Sequence, residues 1–160
     1  MEKLVKQNKI YSGKAVDFYC DEVSLQNGSR AEREYLGHPG AAAVLPFLDR
    51  RNIILVRQYR YPINKYTYEI PAGKLDAGED PAQCALRELG EETPYTAERV
   101  EKIFAFYSAP GFCDEILHLY RAVNITPTSS LHPDQDEFVE TVLLDRQEVL
   151  AAVRNNEIQD

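Results

Sequence analysis

The segment Pro81 to Glu92 places the strictest condition on how this chain can fold. Asp80 reads as an N-cap and Pro81 as the first helical residue, a position where a missing amide hydrogen costs nothing. At about 100° per residue, Ala82, Ala85, Leu86 and Leu89 fall on one face, expected to pack on a sheet. Glu88 and Glu92 stand one turn apart, with Glu91 close to the same side. These carboxylates repel one another, and they lie at the helix end where the dipole disfavours negative charge. A glutamate pair taken alone is ordinarily a solvated face. Both costs together call for a compensating cation, and hard carboxylate oxygens suit Mg²⁺ or Mn²⁺ rather than zinc.

The rest of the chain must supply the sheet. Ala41–Leu48 and Ile53–Tyr59 are short apolar runs joined by Asp49–Asn52, a hairpin-like link, and such runs suit strands covered on both faces. Further strands are expected at Tyr66–Ile70, Ile103–Tyr107, Ile116–Val123 and Val139–Leu144, with a last helix at Arg146–Asn155. Upstream, Val16, Phe18 and Tyr19 open a strand-rich stretch. Asn27-Gly28 is a hairpin signal between Val23-Ser24-Leu25 and Arg30–Leu36. His38-Pro39-Gly40 reads as a hinge. The expectation is an α/β (α+β) fold, a mixed β-sheet sandwiched between helices, with a small N-terminal β-hairpin unit at 1–37 and the main domain at 38–160.

Composition narrows the partners. Eighteen Lys and Arg stand against 26 Asp and Glu, a formal charge of −8. No surplus remains to build the basic stripe that nucleic acid or an anionic membrane requires. An acidic chain still binds a phosphorylated ligand when a metal cation bridges them. The three cysteines, Cys20, Cys84 and Cys113, form neither a C-x-x-C pair nor an even framework, which fits a reducing compartment. Met1–Tyr11 lacks the apolar core of a signal peptide, and Ala41–Leu48 is too short to span a bilayer. A cytoplasmic location is expected.

Gly73, Glu79, Arg87, Glu88, Glu91 and Glu92 occur as G-x5-E-x7-R-E-L-x-E-E. This resembles the Nudix box of the Nudix hydrolases, whose pattern continues with an arbitrary residue, a glycine and an aliphatic residue. At roughly 6% usage per charged type, five fixed charges match by chance about once in a million starts. The chain departs from the pattern at Pro94, where the family has glycine, and at Tyr95, which fills the aliphatic place. Proline forbids the left-handed backbone that glycine permits, and Thr93 before it is expected to leave the helical region. His38-Pro39-Gly40-Ala41, Val56-Arg57-Gln58-Tyr59-Arg60, Glu69-Ile70-Pro71-Ala72-Gly73 and Ser108-Ala109-Pro110-Gly111-Phe112 extend the resemblance to the ADP-ribose pyrophosphatase branch.

That resemblance implies Mg²⁺-dependent (or Mn²⁺-dependent) hydrolysis of the diphosphate of ADP-ribose, to AMP and ribose 5-phosphate. GDP-mannose or another sugar nucleotide is the alternative substrate. A module that senses a nucleotide sugar without hydrolysing it is the alternative class. Glu88 and Glu92 are implied as the main metal ligands, with Glu91 and the Ala72 carbonyl completing the shell. Arg87 would pair with Glu79 or another box carboxylate and support the site, with Gly73 and Glu79 as motif support. The family's base often lies in a late acidic run, here Asp134-Gln135-Asp136-Glu137. Gln135 cannot accept a proton, so Glu137 is the candidate, as base or third metal ligand, with a box glutamate the other option. Arg33 and Arg60 are candidate phosphate or ribose contacts, and Glu115 a candidate ribose acceptor. Phe18, Tyr19 and Tyr35 are read as packing residues before base-stacking ones. His38 and His118 are assigned structural roles, and His132 none. The branch is typically homodimeric, with exchanged N-terminal strands.

Overall fold

The computed structural model describes residues 1–128 and 138–160. They form two compact units, 1–40 with 106–117, and 41–105 with 118–160.

The first unit is built on β3 (Asp17–Ser24), which pairs antiparallel with β4 (Arg30–Gly37) from Asp17 opposite Gly37 to Ser24 opposite Arg30. Gly28 closes the turn between them at φ +84°, a conformation that costs glycine nothing. Tyr19 lies opposite Tyr35, and their rings stack at 5.0 Å, so these tyrosines are packing residues. The other edge of β3 carries β1 (Lys3–Lys6) and β2 (Lys9–Ser12) one after the other. Asn8 bridges the break: its amide donates to Asp21 Oδ1 at 2.9 Å and its side chain to the Cys20 carbonyl at 3.1 Å. Neither short strand is anticipated by the sequence, because both are exposed throughout and neither alternates. Segment 106–117 joins this unit through Leu36, whose amide donates to the Phe112 carbonyl at 2.8 Å.

The second unit holds two sheets and two helices. One sheet has the order β8 (Ala72–Lys74), β5 (Ala41–Leu45), β10 (Ile116–Pro127), β9 (Tyr95–Tyr107). The other has β11 (Val139–Asp145), β6 (Asn52–Arg60), β7 (Lys65–Glu69). The apolar runs are covered as expected: Ala41–Val44 and Ile53–Val56 are buried at every position. Their hairpin-like link shrinks to one bridge, Phe47 opposite Ile53. Pro46 has no amide hydrogen to extend the ladder, so β5 ends at Leu45 and β6 enters the other sheet. Helix α1 (Pro81–Glu92) packs its Cys84, Ala85 and Leu89 with Ala42, Val44, Tyr120 and Ala122 in the core. The small side chains of β5 let the helix approach closely. Helix α2 (Arg146–Arg154) starts at the Asp145 capping box. No helix among the described residues is long and apolar enough to cross a membrane.

Candidate active site

Helix α1 begins as its sequence demands: Asp80 accepts the Ala82 amide at 2.9 Å and Pro81 follows as the first helical residue. Its buried stripe, however, is centred on the carboxylates. Glu88 and Glu92 are 7% and 5% exposed, while Leu86, expected on the packed face, is only half-buried. Ala85 and Leu89 lie in the core and Ala82 packs against it, as the spacing predicts; the buried carboxylates are the addition, because glutamates count as surface residues. Taking carboxylates out of water is costly unless they are hydrogen-bonded and paired, so each needs a partner.

Strand β8 and Arg87 provide these partners. The Ala72 amide donates to Glu92 Oε2 at 3.1 Å. Glu88 lies so close over Gly73 that a Cβ there would meet Glu88 Oε1 at 1.9 Å. Arg87 spreads one guanidinium over three carboxylates. Its Nε and Nη2 fork onto the two oxygens of Glu79, both at 2.9 Å, and Nη1 reaches Glu88 Oε1 at 2.6 Å and Glu91 Oε2 at 2.8 Å. Nη2 also donates to the Lys74 carbonyl at 3.0 Å, which fastens helix to strand. The hydrogen bond from Arg87 is the main reason the Glu79 carboxyl is lowered to about 2. Gly78 (φ +79°) lets the loop turn so that Glu79 also accepts the Asp76 amide at 3.0 Å. Behind the fork, burial pushes the Cys84 thiol up to about 12, which makes it an inert core group.

The helix exit solves the problem set by Pro94 without glycine. Thr93 is extended (φ −138°, ψ 156°), as the residue before a proline should be. Its fully buried hydroxyl donates to the Leu89 carbonyl at 2.5 Å, and the Thr141 hydroxyl from β11 reaches the Glu92 carbonyl at 3.3 Å. Two threonine side chains thus satisfy carbonyls that a C-cap would otherwise serve. Pro94 itself accepts the Thr128 amide at 2.9 Å.

Arg60, at the end of β6, forks onto Glu69 (Nε–Oε1 2.8 Å, Nη2–Oε2 2.5 Å), and Thr67 donates to the same carboxylate. Burial raises the Glu69 carboxyl, but the bonds from Arg60 and Thr67 outweigh it and the net shift is downward. Glu92 is within electrostatic reach of Arg60, so this pair borders the helix carboxylates. Glu69 and Thr67 are absent from the sequence-level site. The cue was position: Glu69 directly precedes the Ile-Pro-Ala-Gly run of β8.

Arg33 and Glu115 belong to the first unit. Arg33 is paired with Glu2, Nη2 to Oε1 at 2.5 Å. Glu115 takes the Ser108 hydroxyl and stands 3.6 Å from His38 Nδ1, which itself accepts the Gly40 amide. His118 Nδ1 is buried without a hydrogen-bond partner among the described residues, and burial lowers its pKa. His132, Gln135 and Glu137 lie outside the described residues.

Among the described residues no three His, Cys, Asp or Glu side chains meet as a ready-made metal cage, since Arg87 holds Glu88 and Glu91 and the Ala72 amide holds Glu92. The donor chemistry nonetheless fits a hard divalent cation. Glu88, Glu91 and Glu92 offer carboxylate oxygens from one helix end, beside a glycine that leaves room for them.

Comparison with known proteins agrees with this geometry. A model of the NUDIX domain matches residues 37–159. The chain is 45% identical over 160 residues to the ADP-ribose pyrophosphatase of Bacillus subtilis (strain 168), covering 99% of this chain and 86% of that one. It is 44% identical over 160 residues to the methanol dehydrogenase activator of Bacillus methanolicus, with the same coverage of 99% and 86%. The crystal structure of an ADP compounds hydrolase superposes with a TM-score of 0.84 at 20% identity, covering 99% of this chain and 86% of that one, a likeness of fold. Carboxylates buried at a helix end, a strand glycine shaped around them and a domain match across most of the chain have one common explanation: the chain belongs to the Nudix family.

Proposed function

We propose that this Nudix hydrolase cleaves the diphosphate of ADP-ribose in a reaction dependent on Mg²⁺ or Mn²⁺. The observation that carries the reading is the sharing of one guanidinium, Arg87, among Glu79, Glu88 and Glu91, with Glu92 buried beside them. That excess of negative charge suits a divalent cation and, through it, a diphosphate. Glu88, Glu91, Glu92 and the Ala72 carbonyl would hold the metal, which when bound offsets the charge developing on the phosphoryl oxygens. Arg87 is a positioning residue that keeps the Glu79 loop and the helix in register. Glu137 accepts a proton from the attacking water, whose oxygen bonds to one phosphorus as the bridging P–O bond breaks, giving AMP and ribose 5-phosphate. Arg60, its fork held by Glu69, is assigned to phosphate or ribose, as is Arg33, and Glu115 is assigned to a ribose hydroxyl. The 45% identity to an ADP-ribose pyrophosphatase supports the substrate. GDP-mannose is the alternative.

The working form is proposed to be a cytoplasmic homodimer. Leu4, Ile10 and Tyr11 on the N-terminal strands are exposed apolar surface that a second copy would cover. The N-terminal strands of residues 1–37 are proposed as the exchanged element.

The experiment is AMP release from ADP-ribose with and without Mg²⁺, in wild type and Glu92→Gln. Turnover that needs the metal and falls at least a hundredfold in the variant is expected. Tight binding of ADP-ribose without turnover on any nucleoside diphosphate sugar would leave a sensing module instead. A second reading, action on a dehydrogenase, is favoured by the 44% identity to a methanol dehydrogenase activator. Adding the chain to a methanol dehydrogenase and measuring its rate, with Glu92→Gln as control, tests it.

A further inference from the structure

Strand β6 runs from Asn52 to Arg60, on the order of 27 Å at about 3.3 Å per residue. Its Arg60 end borders the helix carboxylates. The opposite end builds a different kind of place. Asn52 lies opposite Asp145, where α2 begins, and the Arg146 amide donates to the Arg51 carbonyl at 2.6 Å. The 49–51 loop and the start of α2 are therefore fixed to each other. Between them and β10 opens a hollow of about 560 Å³, whose walls include Phe47, Asp49, Arg50, Arg121, Val123 and Arg146. An adjoining hollow of about 330 Å³ shares Arg50 and Arg146 and adds Arg51.

Arginines outnumber carboxylates here, in a chain whose overall formal charge is −8. Asp49 is committed to its own turn: Oδ1 accepts the amides of Arg51 and Asn52 at 2.6 and 2.8 Å, and Oδ2 accepts the Asn52 side chain at 2.8 Å. Asp145 is committed as an N-cap to the Gln147 amide at 2.7 Å. Arg121 is paired with Glu101 at 2.5 Å. Among the described residues no carboxylate forms an ion pair with Arg50, Arg51 or Arg146. Arg50 and Arg146 line both hollows and Arg51 the smaller one, so three exposed guanidinium groups face two carboxylates, Asp49 and Asp145, and their forked donors match phosphate oxygens. Phe47 and Val123 give the larger hollow an apolar side against which a base can rest.

We propose that these two adjoining hollows form a second ligand site, one that binds a nucleoside polyphosphate with its phosphates on Arg50, Arg51 and Arg146 and its base against Phe47. It is independent of the reaction proposed above, because no helix carboxylate takes part in it.

The test is calorimetric titration of the full chain with ATP in EDTA at low salt, where metal-bridged binding at the glutamates is suppressed. Wild type is expected to bind ATP. The Arg50→Glu/Arg146→Glu double variant should bind at least tenfold more weakly, and Glu92→Gln as tightly as wild type. Inorganic tripolyphosphate should bind wild type at least tenfold more weakly than ATP. The proposal is overturned by absent ATP binding, by unchanged affinity in the arginine variant, by loss of affinity in Glu92→Gln, or by tripolyphosphate binding as tightly as ATP. Hydrogen exchange on wild type needs no variant to fold. ATP should protect segments 49–51 and 121–124, and protection confined to 72–92 would refute the assignment.

Discussion

Gly73→Ala is the sharpest probe of the carboxylate site, because the backbone at position 73 does not require glycine. Gly73 is not among the residues with positive φ. On backbone grounds alone, alanine in a strand should be neutral or stabilise by about 0.4–1 kcal/mol through the unfolded chain. The obstacle is Glu88. A new Cβ would stand 1.9 Å from its Oε1 and 2.2 Å from its Cδ, so the carboxylate must retreat by about 1.5 Å to reach the ordinary contact of 3.4 Å. Retreat pulls Glu88 from the 2.6 Å bond with Arg87, inside a packed stripe with little room. Overpacking of this kind costs about 1–3 kcal/mol. A displacement of about 1 Å at a reacting centre costs about a hundredfold in rate, close to 2.7 kcal/mol. The measurements are urea unfolding and kcat/KM on ADP-ribose, for Gly73→Ala, Glu88→Ala and the double variant. Removing the Glu88 carboxylate removes the clash, so Gly73→Ala should destabilise the parent by about 1–3 kcal/mol yet leave the Glu88→Ala background unchanged or firmer. Equal destabilisation in both backgrounds would refute the reasoning, since the cost would then come from the strand and not from the carboxylate.

Three further outcomes follow from the same geometry. The Glu79 carboxyl, lowered to about 2 chiefly by Arg87, lends stability that is full above its ordinary value of 4.5 and is lost as pH falls toward 2. Thermal melts from pH 6 to pH 2 should therefore fall less steeply in Glu79→Gln than in wild type. Thr93→Val leaves the Leu89 carbonyl without its hydroxyl donor in a fully buried setting, and a loss of about 1–3 kcal/mol in urea unfolding is expected. In the native protein, alkylation at pH 8 should spare Cys84, whose thiol is buried and raised to about 12, while mass spectrometry finds label at Cys20 or Cys113.

Helix α1 was legible because its start is written locally: Asp80 and Pro81 fix the cap, and its amphipathic spacing fixes the length. The apolar runs of β5 and β6 were legible because burial on both faces leaves a continuous hydrophobic signature. The burial of Glu88 and Glu92 was not, since it rests on the Ala72 amide of β8 and on Arg87, contacts that no periodicity encodes. The Arg60–Glu69 fork depends on the pairing of β6 with β7, a register that strand patterns leave open. Strands β1 and β2 escaped notice because their order comes from the edge of β3 and the side chain of Asn8, and their own sequences carry little strand signal. Thr93 was read for its backbone alone, and its hydroxyl turned out to replace the missing glycine.

The guanidinium of Arg87 has a consequence for the charge balance of the site. In small zinc domains the cation is part of the scaffold, and a chelator unfolds them. Here an internal cation spans Glu79, Glu88 and Glu91, so Arg87 supplies part of the charge balance that those domains take wholly from their metal. A lysine at position 87 would keep one charge but lose the planar fork, and with it the hold on three carboxylates at once.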